Sequence, residues 1–71
     1  MKTYRLTAQV LCYLMTGKRE TVRVNMPIQA RSKDEARKSI GAMTWEYITD
    51  KGDRITSAPV ESTDVLSFKL V

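Results

Sequence analysis

Arg5 and Arg23 each fall at a polar position in a stretch that alternates apolar and polar residues, with Thr7, Gln9 and Asn25 in the same phase. A guanidinium presents a planar fork of donors that suits phosphate and carboxylate oxygens, so two of them on one exposed face suit an anionic partner. Lys18 and Arg19 lie between these stretches, and Arg31, Lys33, Arg37 and Lys38 follow where a helix is expected to start. The charge is polarised along the chain: residues 1–38 hold nine basic and three acidic side chains, and residues 39–71 hold three basic and five acidic. A positive field of this kind draws in phosphate by counterion release, or an acidic protein surface by steering. The same charges also serve as an ordinary solvated surface that keeps a small protein soluble.

Reaction chemistry is much harder to assemble. The 71 residues include no histidine and a single cysteine, which excludes Ser-His and Cys-His nucleophile pairs, imidazole metal ligands, a zinc cluster and an internal disulfide. Asp34 and Glu35 are adjacent, so on a helix they face different directions. Asp50 and Asp53 belong to a stretch with turn character, where nothing buries them to shift their acidity, so no proton-transfer pair emerges. Their spacing about Gly52 lacks the later bidentate glutamate of a calcium loop, and Lys51-Gly52 lacks the glycine and hydroxyl of a phosphate loop. The sequence therefore reads as a non-enzymatic binding protein with no catalytic, metal-binding or cofactor-binding residues. Cys12 and the pair Trp45 and Tyr47 read as core residues.

The elements that position the basic residues follow from the apolar pattern. Tyr4, Leu6, Ala8, Val10, Cys12 and Leu14 alternate with polar residues, and Val22, Val24, Met26 and Ile28 do so again after a polar break at Thr16–Glu20. This predicts an antiparallel hairpin closed near Gly17, with Pro27 marking its second strand as an edge or as leaving the sheet by that point. Ser32 followed by Glu35 predicts a capping box and a helix with an apolar stripe of Ala36, Ile40 and Met43, ending between Gly41 and Thr44. Tyr47 also keeps the helical phase. The aromatic and β-branched run Thr44–Thr49, turn residues Asp50–Asp53 and Arg54–Thr56 then read as a second hairpin. Ser57–Thr63, with Pro59, reads as a loop or an irregular edge, and Leu66, Phe68 and Leu70, alternating with Val65, Ser67 and Lys69, as a last strand. The expected fold is α+β, a single domain over residues 1–71, in which a ββαβββ antiparallel sheet carries one helix on one face. The other face, with Arg5, Arg23 and Lys69, stays open.

The run Ala30-Arg31-Ser32-Lys33-Asp34-Glu35-Ala36-Arg37-Lys38-Ser39-Ile40, placed between strands, resembles the middle of small phage-encoded proteins. Among them are the type I-F anti-CRISPR proteins, built as a bent antiparallel sheet with one helix. The resemblance implies a stoichiometric inhibitor that acts without a cofactor, its exposed sheet or loops occupying a nucleic-acid-binding or guide-complex surface. It carries over no specific contact residues.

Three partners are compatible with this reading: a host protein or ribonucleoprotein complex, duplex nucleic acid, or a second copy joined through an edge such as Val65–Val71. The expected partner-binding residues are Arg5, Lys18, Arg19, Arg23, Arg31, Lys33 and Arg37. The open face offers only Tyr13 for base stacking, which argues against sequence-specific recognition of single-stranded RNA. The N-terminus has no signal-peptide pattern, no stretch is long enough to span a membrane, and the lone cysteine suits a reducing compartment, so a cytoplasmic location is expected.

Overall fold

A computed structural model describes residues 1–51 and 54–71. Within them the chain forms β1 (Lys2–Leu14), β2 (Arg19–Ala30), α1 (Lys33–Lys51) and β3 (Val60–Leu70). The strands make one antiparallel sheet in the order β2-β1-β3, so the fold is α+β but simpler than the expected ββαβββ. The strand period does what the sequence implies. Leu6, Ala8, Val10, Cys12 and Leu14 of β1 are buried together with Val24, Ile28 and Ala30 of β2 on the helix side of the sheet, while the intervening residues are half-buried or exposed. Pro27 lies opposite Arg5 on β2, which is an edge strand, where its missing N–H costs no internal ladder bond.

The first hairpin closes through a three-residue loop. Leu14 accepts a hydrogen bond from the Gly17 N–H at 3.0 Å, and its own N–H donates to Lys18 at 2.8 Å. Gly17 has φ +88°, the left-handed conformation that such a loop requires and that glycine adopts without a steric penalty. At the other end of β2, the Ser32 Oγ accepts from the Glu35 N–H at 3.2 Å, so the Ser32 half of the expected capping box is formed.

The helix does not stop at Gly41. It runs to Lys51, which replaces the expected second hairpin: Thr44–Thr49 are helical, as are Asp50 and Lys51, while Gly52 and Asp53 lie outside the described residues. Two physical causes override the local strand preference. First, Ala36, Ile40, Thr44 and Ile48 recur every four residues and are all buried, so the apolar stripe extends straight through Gly41. Second, strands of 12 and 13 residues span about 40 Å, and a helix ending at Gly41 would cover only about 13 Å of them. Nineteen residues reach about 28 Å, enough to cover β1 to about Val10, and the 54–59 segment, with buried Thr56, half-buried Ala58 and a Pro59 carbonyl bonded to the Met15 N–H, lies at the remaining end. The buried Thr44 is accommodated because its hydroxyl donates to the Ile40 and Gly41 carbonyls at 2.9 and 3.0 Å.

The helical placement also separates Trp45 from Tyr47, which point about 200° apart. Tyr47 is half-buried against the core, whereas Trp45 is 36% exposed, so the expectation that both face inward fails for Trp45. After the helix, residues 54–59 form turns and bends, with Arg54, Ile55 and Thr56 outside any strand. The segment is fastened to β2 by Glu20, whose carboxylate accepts from the Ser57 N–H at 3.3 Å and from the Ser57 hydroxyl. The last strand starts at Val60, three residues before the expected loop ends, because Val60 pairs with Leu14. Its alternation is broken by an extra residue at Leu66, between the pairs Val10–Val65 and Gln9–Ser67. Val65 and Phe68 therefore share the helix side, contrary to the simple alternation of Leu66, Phe68 and Leu70.

Candidate functional site

Among the described residues no helix lies over the outer face of the sheet. From β2 through β1 to β3 its successive rows read Pro27, Arg5 and Val71; Asn25, Thr7 and Lys69; Arg23, Gln9 and Ser67; Thr21, Leu11 and Asp64; Arg19, Tyr13 and Ser62. Because neighbours across a ladder point to the same side, these rows put four cations, Arg5, Arg19, Arg23 and Lys69, on one surface with one carboxylate, Asp64. All four cations are exposed. Arg23 lies one strand over from Arg5 and about 13 Å further along. Arg5 has one internal partner, donating from Nη1 to the Asn25 Oδ1 at 3.5 Å, a long bond that leaves most of its donors for a ligand.

The seven expected contact residues are thus divided. Arg5, Arg19 and Arg23 are brought together on the outer face. Lys18 stands in the hairpin loop beside Arg19, about 26 Å along the sheet from Arg5. Arg31, Lys33 and Arg37 belong to the opposite end, near Lys2, which pairs with Ala30, and the last two are carried by the helix layer. Arg5 pairs with Pro27, three positions from Ala30, so it lies about 10 Å from that same end, and Lys33 and Arg37 are set apart from it by the helix layer that carries them and not by length. Arg37 is also engaged at 3.7 Å by Asp34, one turn away, which leaves it less available than the sheet arginines. Lys69 belongs with the sheet group, and its signal in the sequence is its alternation with Phe68 and Leu70.

The remaining chemistry-bearing groups have structural positions. Cys12 is fully buried, and burial first, then the nearby Glu20 carboxylate, push its thiol above the ordinary cysteine range, where little of it is a nucleophilic thiolate. Among the described residues no three His, Cys, Asp or Glu side chains converge as metal ligands, and every buried side-chain nitrogen or oxygen has a hydrogen-bond partner. No described helix is long and apolar enough to cross a membrane. Comparison with family models, curated proteins and solved structures returns no match. The functional reading therefore rests on the outer face itself.

Proposed function

We propose that this chain is a non-enzymatic binding protein that docks the outer face of its sheet onto an anionic surface of a host nucleic-acid-handling complex and blocks it stoichiometrically, as the resemblance to small phage-encoded inhibitors implies. One observation carries the reading: Arg5, Arg19, Arg23 and Lys69 share a surface that the fold leaves uncovered, interleaved with Thr7, Gln9 and Asn25. Long cationic side chains above short polar ones suit a broad, flat, charged partner better than a small molecule. A single exposed aromatic on this face, Tyr13, leaves little for base stacking, which favours a protein or ribonucleoprotein surface over free single strands.

The test is retention of host complexes by the immobilised chain, with and without nuclease treatment, alongside titration of a mixed-sequence DNA duplex over a range of salt. Retention of a defined complex that persists after nuclease treatment supports the proposal. Tight binding to the duplex alone, with affinity falling steeply with salt, would replace it with direct nucleic-acid binding.

A further inference from the structure

The two edges of the sheet are built differently. The β2 edge carries Pro27 together with exposed Arg19 and Arg23, features that discourage pairing with another strand. The β3 edge carries Leu66 and Phe68, 53% and 47% exposed, and runs on to Val71 at 70%. Phe68 stands on the helix side of the sheet beside a groove of ≈ 670 Å³ that is also lined by Arg37, Ile40, Gly41 and Val65.

The bulge at Leu66 determines how such an edge can pair with its own copy. In an unbulged strand, two-fold antiparallel pairing places a residue opposite another that is an even number of positions away, because facing residues must share a side of the sheet. The extra residue reverses the alternation. Asp64 and Lys69, five positions apart, both lie on the outer face, opposite Leu11 and Thr7. Val65 and Phe68, three apart, both lie on the helix side, opposite Val10 and Ala8.

We propose that the chain associates with a second copy through β3, about a two-fold axis between Leu66 and Ser67. In this register Asp64 of each copy faces Lys69 of the other, Val65 faces Phe68, and Thr63 faces Leu70, every pair sharing a side of the sheet. The edge is self-complementary in charge: two ion pairs flank two apolar pairs, and each Phe68 ring meets the other copy at the mouth of the groove. The result is one six-stranded sheet, with both helices on one side and a doubled basic face on the other. Lys69 is shared by the two surfaces, while Arg5, Arg19 and Arg23 of each copy stay outside the dimer seam, so the dimer stands or falls separately from what those arginines bind.

Sedimentation equilibrium of the whole chain over a concentration series tests this. The wild type associates to a dimer. Asp64→Lys and Lys69→Asp, both at exposed positions and checked for native circular dichroism, each set like charges opposite one another twice and weaken association roughly ten-fold or more. An equimolar mixture of the two variants associates again, because opposite charges then meet, as does the doubly exchanged chain D64K/K69D. A wild type that stays monomeric at millimolar concentration, variants that dimerise as well as the wild type, or a loss that neither mixing nor exchange restores would overturn the proposal.

Discussion

Replacing Gly41 with alanine should raise the stability of the protein. Gly41 lies in the ninth position of a 19-residue helix, and a Cβ built there meets nothing within 4 Å. The new methyl group neither fills a cavity nor clashes, so the effect comes from backbone entropy in the unfolded chain, worth about 0.5–1 kcal/mol in favour of alanine. For a domain of this size each kcal/mol moves the melting temperature by about 4–8 °C, so a rise of about 2–8 °C is expected. Circular dichroism at 222 nm through thermal and urea unfolding, at one fixed protein concentration, measures it, with an unchanged urea m-value. Gly17 supplies a matched control. A Cβ there also meets nothing within 4 Å, but the backbone has φ +88°, so Gly17→Ala should lower stability by roughly 1 kcal/mol. Gly41→Ala that destabilises, or glycine substitutions that act with the same sign, would refute the continuous helix and the hairpin geometry argued above.

The distal half of the helix should contribute measurably to the core. Ile48→Ala removes a side chain with no solvent exposure and should cost about 2–5 kcal/mol. That is a large part of the roughly 4–11 kcal/mol expected of a 71-residue domain. Thr44→Val, which keeps the shape and removes a hydroxyl bonded only to helix carbonyls, should change stability by less than about 1 kcal/mol in the same urea titrations. The buried Cys12 predicts a pH effect of definite sign. Its folded-state pKa lies above its unfolded value, so the native state holds the proton more firmly; stability from this source is complete below the unfolded pKa, about 8.5, and declines as pH rises beyond it. Melting curves from pH 7 to 10 should show a decline that is shallower in Cys12→Ala, and a thiol reagent at pH 7 should label the wild type only as it unfolds.

The sequence announces elements whose local chemistry and long-range packing agree. The first hairpin is legible because its alternating apolar positions, Gly17 and Pro27 all point to the same two strands, and the helix start because Ser32 caps it as its type suggests. The run Thr44–Thr49 misleads because its strand preference is a local property, whereas the four-residue recurrence of Ala36, Ile40, Thr44 and Ile48 records a demand set by the length of the sheet. A threonine in that stripe hides the recurrence, since its burial depends on hydroxyl bonds to carbonyls one turn back. The phase of β3 is obscured in the same way: an extra residue at Leu66 shows only when the strand is set against β1. For the site, the outward phase of Arg5 and Arg23 follows directly from alternation. Lys18, Arg31, Lys33 and Arg37 are grouped with them by nearness in the chain, but 12 residues of β2 carry Arg31 to the end opposite Lys18, and Lys33 and Arg37 belong to the helix and not to the sheet.

The claim that the outer face of the sheet is the contact surface is tested most directly by two charge-matched variants assayed for retention of the host complex. R5E/R23E turns a face of four cations and one carboxylate into one of two cations and three carboxylates, while R31E/K33E makes the same change in net charge at the helix end. The account predicts that the first variant loses affinity on the order of 100-fold while the second retains it, both with native circular dichroism. Equal losses in both variants, or undiminished affinity in R5E/R23E, would contradict it.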